Sequence, residues 1–199
     1  MNKKIIILII SIGLFWSCKQ EMHLEKIEGK RIEINDSLVG ASKIEDFIKP
    51  YREHVNKNLD SVLAYSVDTY SKTDGELNTS IGNLMSDAVL EEYNYIFESR
   101  TGEKIDMVLL NHGGIRAILS KGNITTRTAY KIMPFENSVV VTKLKGTYVK
   151  ELISYLQKAK RAHPISGLSI KLDDNYELIE AKINGENINE SKTYNVATN

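Results

Sequence analysis

The residues best suited to chemistry follow a short apolar run near the middle of the chain. Residues 105–110 (IDMVLL) have the nearly continuous apolar character of a buried strand, and Asn111-His112-Gly113-Gly114 ends that run at once. Two glycines permit a tight turn and a close approach of the backbone to a ligand. The guanidinium of Arg116 matches carboxylate or phosphate oxygens. The segment predicts an anion-binding turn at a strand end, although an ordinary glycine turn with a surface arginine also fits it.

An aromatic residue stands on a second predicted turn, Met133-Pro134-Phe135-Glu136-Asn137. Pro134 restricts the backbone, so this turn would present Phe135 rigidly. An aromatic ring in that setting can stack on a nucleobase, which contributes roughly 1–3 kcal/mol in nucleic-acid complexes. The alternative interpretation is that Phe135 packs in the core.

The strongest helical pattern of the chain covers residues 81–97 and begins with the segment GNLMSDA. Thr79 or Ser80 is suited to cap this helix. The apolar spacing predicts a buried face made of Leu84, Ala88, Val89, Tyr93 and Ile96.

These segments stand among alternating helices and strands. Periodicity predicts helices over residues 42–58, 81–97, 124–133 and 146–156. It predicts strands over residues 61–67, 105–110, 138–144, 168–172, 177–183 and 193–197. Pro50 predicts a kink or a break in the first helix, residues 121–123 a tight turn, and Asn184-Gly185 a hairpin. The expected fold class is α/β, with mixed sheets flanked by helices.

Composition excludes several classes of function. The 199 residues include 26 Lys plus Arg and 26 Asp plus Glu, so the formal net charge is zero. A neutral chain without a basic face is not expected to bind nucleic acid. Cys18 is the sole cysteine, which rules out an intrachain disulfide and any metal site built from several thiolates.

The N-terminus has the pattern of an export signal. Residues 1–4 are basic, and residues 5–16 form an apolar run shorter than the roughly 20 residues that span a bilayer. Residues 1–18 are similar to a bacterial lipoprotein signal that ends at a lipidated Cys18, and a plain secretory signal is the alternative. Residues 19–41 are then expected to tether the domain to the membrane of a bacterial cell envelope, on its periplasmic or outer side.

Taken in order, the segments GNLMSDA, LLNHGGIR, MPFEN and VVVTKLKG resemble the C-terminal domain of 5'-nucleotidases, over about residues 60–199. That resemblance implies that residues 42–199 form a domain that binds a nucleotide or nucleoside. Asn111 and Arg116 match the family residues that contact the nucleotide, and Gly113 and Gly114 belong to the same motif. Phe135 matches one of two rings that sandwich the base.

Three departures from the family pattern bear on the site. His112 replaces the first glycine of a triple glycine, where it would narrow the pocket, add a donor or simply lie at the surface. Residues 74–80 lack the arginines that many relatives carry there. The chain ends at Asn199, where relatives continue into a segment with the second aromatic ring, so the domain is expected to be incomplete at this end.

The resemblance also implies that hydrolysis belongs to an N-terminal domain with two metal ions. The sequence contains no D-x-H, G-D-x-x-D, G-N-H-[DE] or G-H-x-H motif, so no catalytic residue, metal ligand or cofactor is expected in this chain. The leading hypothesis is a split 5'-nucleotidase, whose divalent metal pair lies in a separately encoded metallophosphoesterase. The alternatives are an envelope lipoprotein that only captures nucleotides and a protein-interaction scaffold.

Overall fold

The computed structural model of the protein describes residues 24–35 and 37–199. The predicted signal and Cys18 lie outside these described residues. Residues 24–35 carry no helix or strand, and the chain divides into two units between Asp46 and Phe47. Within the described residues, every helix falls short of the length and apolar character needed to cross a membrane.

The described residues form four α-helices and nine strands. The helices α1 to α4 are Ser42–Leu59, Ser80–Thr101, Thr126–Ile132 and Gly146–Ala159. The strands β1 to β9 are Val62–Ser66, Met107–Leu109, Gly122–Thr125, Val140–Lys145, Ile165–Ser166, Leu168–Leu172, Leu178–Ile183, Glu186–Asn187 and Thr193–Thr198. This mixture of helices and strands confirms the predicted α/β class.

A four-stranded sheet with the order β4-β9-β2-β5 carries the glycine turn at the end of β2. β2 is parallel to β9 and antiparallel to β5, and β9 is antiparallel to β4. Because β2 and β9 are parallel, their carboxyl ends lie side by side, where open α/β sheets bind ligands. The remaining strands form a β6-β7-β8 sheet and a β1-β3 pair.

Helices cover both faces of β2. Met107 is fully buried in one cluster with Val149 and Ile153 of α4. Val108 points to the opposite face and belongs to a second cluster, against which Val89 of α2 packs. Successive strand residues alternate between faces, so a strand buried on both sides must be apolar throughout. This confirms the strand predicted in residues 105–110.

The predicted buried face of α2 is wrong in all but one position. Val89 packs in a cluster, but Leu84, Ala88, Tyr93 and Ile96 are exposed. The buried positions are instead Ile81, Gly82 and Ser86. The hydroxyl of Ser86 donates to the carbonyl oxygen of Ile165 at 3.0 Å, which satisfies a polar group that apolar periodicity could not assign to the core.

The start of α2 is capped by a residue outside the predicted pair. Thr79 occupies the N-cap position, but its side chain makes no capping hydrogen bond. The carboxylate of Asp74 accepts from the backbone N–H of Ser80 at 3.1 Å and from the Ser80 hydroxyl. Asp74 therefore satisfies a donor that the end of a helix leaves unpaired.

Three further local predictions can be compared with the structure. α1 is continuous through Pro50, so the helix has no break there, although Pro50 cannot donate the hydrogen bond that another residue would make to Asp46. Residues 122–125, expected to span the end of a turn and the start of a helix, form strand β3, which pairs with β1. The Asn184-Gly185 hairpin is confirmed, because both residues have positive φ, of 51° and 81°, between paired β7 and β8.

Candidate functional site

Asn111 organises the turn that follows β2. Its side-chain oxygen accepts from the backbone N–H of Gly113 at 3.0 Å, and its carbonyl oxygen accepts from the N–H of Gly114 at 3.0 Å. Residues His112–Gly114 thereby form one 3-10 turn. The side-chain nitrogen of Asn111 has no hydrogen-bond partner among the described residues, so it can donate to a ligand.

The two glycines of this turn do not need glycine's conformational freedom. Neither Gly113 nor Gly114 has a positive φ. Gly114 is buried, and a Cβ there would lie 3.6 Å from the terminal methyl of Met133. The absence of side chains, rather than backbone strain, is what opens the backbone at Gly113 to an approaching group.

Hydrogen bonds to Lys72 and to Ile132, in two other segments of the chain, hold this turn in place. The ammonium group of Lys72 donates to the carbonyl oxygens of Ile115 at 2.8 Å and His112 at 3.2 Å. The backbone N–H of Arg116 donates to the carbonyl oxygen of Ile132 at 2.7 Å. A turn anchored on both sides presents its polar groups in a fixed arrangement, which lowers the entropic cost of binding.

Arg116 lies at the surface with a guanidinium that is largely free. One of its terminal nitrogens lies 3.4 Å from the carbonyl oxygen of Gly113. No acidic side chain of residues 24–35 or 37–199 forms a salt bridge with it. A free, planar guanidinium suits two oxygens of a phosphate or carboxylate.

The side chain of Phe135 is half exposed to solvent and does not pack in the core. Its side chain is 50% exposed, between the end of α3 and the start of β4, and it belongs to none of the three buried clusters. The structure therefore disfavours the alternative in which Phe135 fills the core. Its ring is available to a ligand.

A cleft of about 390 Å³ opens beside the glycine turn. Its walls are Asn111, His112, Gly113, Tyr155, Ala159, Arg161 and His163. The volume is within the range of small-molecule sites. Arg116 and Phe135 are not among its walls, so the structure brings Asn111 and Gly113 to the cleft and leaves the other two predicted residues outside it.

His112 is tied into the wall of this cleft. Its Nδ1 lies 2.8 Å from the carbonyl oxygen of Ala162, so Nδ1 donates a hydrogen bond to that oxygen. Nδ1 of His163 lies 3.3 Å from the carbonyl oxygen of Leu110 and 3.4 Å from the backbone nitrogen of His112. Tyr155 meets the His163 ring edge-on, with centroids 6.0 Å apart. His112 is therefore half-buried and bonded, not a free surface side chain.

Sequence patterns do not identify four residues near the turn: Lys72, Tyr155, Arg161 and His163. They reach the turn from segments about 40 to 50 positions away along the chain. The sequence offers one weak signal for them, since Arg161 and His163 precede Pro164 in the loop between α4 and the short strand β5.

The described residues also contain a larger cavity and lack a metal cluster. The cavity, of about 620 Å³, lies between the start of α2, the end of α4 and β6, and none of the predicted site residues lines it. Among residues 24–35 and 37–199, no three His, Cys, Asp or Glu side chains are grouped so that they could hold a metal ion. The donors near the glycine turn suit an anionic or polar organic ligand better than a cation.

The fold and this turn define a known class of domain. Residues 58–199 match the family described as 5'-nucleotidase, C-terminal domain, and the chain belongs to that family. The match covers the glycine turn, the segment with Phe135 and the whole β4-β9-β2-β5 sheet.

This chain is similar to several longer proteins. It is 34% identical over 106 residues to protein UshA of Salmonella pullorum, which is half of this chain and 18% of that protein. It is 28% identical over 137 residues to an apyrase of Tabanus yao, which is 67% of this chain and 24% of the apyrase. The crystal structure of a 5'-nucleotidase precursor from Thermus thermophilus superposes with a TM-score of 0.61, at 24% identity over 79% of this chain and 33% of that one. This chain thus spans a third or less of these relatives.

Proposed function

We propose that this chain recognises the nucleotide in a 5'-nucleotidase assembly. The observation that carries the proposal is the anchored turn of Asn111 to Arg116. It offers an unpaired amide nitrogen and an open backbone beside a cleft of about 390 Å³, and a guanidinium that forms no salt bridge within the described residues. Such a set of groups suits a ligand with an anionic phosphate and polar ring or sugar atoms.

In this proposal each predicted nucleotide-binding residue contacts a particular part of the ligand. Arg116 binds the phosphate, and Asn111 donates to the nucleoside. Gly113 and Gly114 let the ligand approach the backbone closely, and Phe135 stacks on the base. The structure adds Tyr155 and Arg161, which supply an aromatic ring and a second cation to the cleft wall.

Hydrolysis is proposed to need a second protein. A phosphoesterase with two metal ions needs clustered carboxylates, histidines and amides, and the described residues do not fit such a pair. We therefore assign the metal pair to a separately encoded metallophosphoesterase and no catalytic step to this chain. The chain is similar to an apyrase, which supports a role beside an enzyme of nucleotide hydrolysis.

The proposed location is the bacterial cell envelope. Lipidation of Cys18 would hold the chain at a membrane surface, and residues 19–41 would separate the domain from it. Mass spectrometry of the mature N-terminus tests this part, since a diacylated or triacylated Cys18 is expected. An unmodified N-terminus produced by cleavage elsewhere would contradict the anchor.

The test of the recognition role is calorimetry of the purified chain with AMP, UMP and inorganic phosphate. We expect both nucleotides to bind more tightly than phosphate, because the base contributes stacking. Hydrolysis of AMP is then followed with divalent metal, with and without the metallophosphoesterase. Activity of this chain alone would contradict the proposed division of labour.

The second candidate is nucleotide capture without an enzyme partner. It needs only the polar groups that the turn from Asn111 to Arg116 and the adjoining cleft offer to a ligand. Under this candidate nucleotides bind to the chain, but no metallophosphoesterase depends on it for activity. The absence of arginine from residues 74–80 instead favours the third candidate, a protein-interaction scaffold, which predicts that no nucleotide binds.

A further inference from the structure

An apolar stripe on α1 is exposed to solvent. We define it as Phe47, Tyr51 and Val55, which recur every four residues along one face, beside the half-buried Ile48. The exposed fractions are 70% for Phe47, 65% for Tyr51 and 50% for Val55. The rings of Phe47 and Tyr51 contact each other, with centroids 5.9 Å apart. No residue of α1 is fully buried, so most of the stripe's apolar surface is open to solvent.

The exposed apolar surface of α1 is larger than a single side chain. One exposed apolar residue is ordinary, but a contiguous apolar patch with aromatic rings marks an interaction surface. The carboxyl end of α1 is nevertheless attached to the domain. Arg127 donates to the carboxylate of Asp60 at 2.7 Å and to the side-chain oxygen of Asn56 at 2.9 Å. The helix is thus anchored beyond the stripe while the stripe itself remains open.

The position of α1 relative to the family domain indicates what covers the stripe. The match to the C-terminal domain begins at residue 58, within the last turn of α1. The named relatives are at least three times as long as the part they share with this chain. Because the shared part is a C-terminal domain, the rest of each relative precedes it, on the side where α1 lies.

We propose that the stripe is the docking surface for the metallophosphoesterase, an inference that rests on the proposed function. Aromatic residues are enriched in protein–protein interfaces and supply much of their binding energy. The stripe would take an apolar patch of the partner, in the place where longer relatives continue their own chain.

The charges of α1 favour a protein over a membrane surface as the occupant. A helix that lies on a membrane usually carries an excess of Lys and Arg on its polar face. α1 has four basic residues, Lys43, Lys49, Arg52 and Lys57, and three acidic ones, Glu45, Asp46 and Glu53. This near-balance gives little attraction to anionic lipid.

The docking test uses the full-length chain with a photo-crosslinking amino acid at Tyr51 and, as matched control, at Tyr95. Tyr95 is 78% exposed on α2 and lies outside the stripe. After irradiation of cells of the source organism, we expect a crosslink from position 51 to a metallophosphoesterase and none from position 95. A crosslink from position 51 to a second copy, to lipid or to an unrelated protein, or no crosslink, overturns the proposal.

A second variant separates this inference from the proposed function. The double substitution F47Q/Y51Q removes both rings and puts glutamine, a good helix former, in their place. We expect it to raise the concentration needed to activate AMP hydrolysis by the partner at least tenfold, while AMP binding to the isolated chain stays within twofold. Undiminished activation would show that docking occurs elsewhere although the assembly exists. If no metallophosphoesterase responds to the wild-type chain, the split enzyme itself is wrong.

Discussion

The backbone N–H of Arg116 donates to the carbonyl oxygen of Ile132 at 2.7 Å. This bond joins the turn after β2 to the end of α3, from which the chain leads to Phe135. Ile115 and Ile132 are buried in one apolar cluster, against which Met133 packs, and this adds apolar contacts to the same junction. The proposed phosphate-binding arginine and the proposed base-stacking ring thus belong to two segments that are fastened together.

Arg116→Ala should weaken AMP binding much more than adenosine binding. A hydrogen bond to a charged group contributes about 1.5–3 kcal/mol, so we expect a loss of roughly 10- to 150-fold for AMP. Adenosine lacks the phosphate and should change by less than about twofold. Calorimetry with both ligands measures the difference. An equal loss for AMP and adenosine would show that Arg116 acts on the turn and not on the phosphate.

Phe135→Ala should weaken AMP and adenosine alike. Base stacking contributes roughly 1–3 kcal/mol, which corresponds to a loss of about 5- to 150-fold. Tyr95→Ala is the control, because Tyr95 is an exposed aromatic residue of α2 outside the proposed site. If the two variants bind nucleotide equally well, Phe135 has no role as a stacking ring.

Gly113→Ala should leave the fold intact and lower nucleotide affinity. The φ of Gly113 is not positive, and a Cβ there would lie 3.4 Å from the side-chain oxygen of Asn111, which is ordinary contact. The melting temperature should therefore stay close to that of the wild type. Gly29→Ala is the control, since no atom lies within 4 Å of a Cβ at that position. Unchanged affinity in G113A would mean that the ligand does not approach this backbone.

Lys72→Met should destabilise the glycine turn. The substitution keeps the apolar stem and removes the donor to the carbonyl oxygens of His112 and Ile115. Leaving such acceptors unpaired costs about 1–3 kcal/mol. Urea unfolding measures this loss, and the exposed Lys121→Met is the control. A loss no larger than in K121M would show that Lys72 does not support the turn.

Asp74→Asn should destabilise the protein in a pH-dependent way. Hydrogen bonds from Ser80, first from its hydroxyl, lower the pKa of Asp74 below its ordinary value of 3.8. A lowered folded-state pKa contributes stability that is fully present above the unfolded value and is lost as the pH falls through the folded value. D74N should thus unfold at lower urea than the wild type at pH 7, and the gap should narrow below about pH 4.

The control for D74N is Glu92→Gln, an exposed charge on the same helix. Its urea midpoint should follow that of the wild type at every pH. A D74N deficit that stays constant from pH 7 down to pH 3 would contradict the role of the ionised carboxylate as the cap of α2.

Local patterns predicted most elements, and their failures have a common cause. The strand before Asn111 and the Asn184-Gly185 hairpin were predictable because each depends on a few neighbouring residues. The face of α2 was not, because that helix packs against two clusters through Ile81 and Val89 and buries the polar Ser86. β3 was missed because it is only four residues long and is stabilised by pairing with β1, far away in the sequence.

By itself, the sequence determined the fold class and the position of the turn from Asn111 to Arg116, because a polar, glycine-containing segment directly follows an apolar run. It left open whether Phe135 packs in the core, and the tertiary structure decided that this side chain is half exposed. Only the tertiary structure decided what surrounds that turn. Lys72 supports it, and Tyr155, Arg161 and His163 line the adjoining cleft. Their proximity depends on how the sheet and its helices pack, and no periodicity along the chain encodes contacts across 40 to 50 residues.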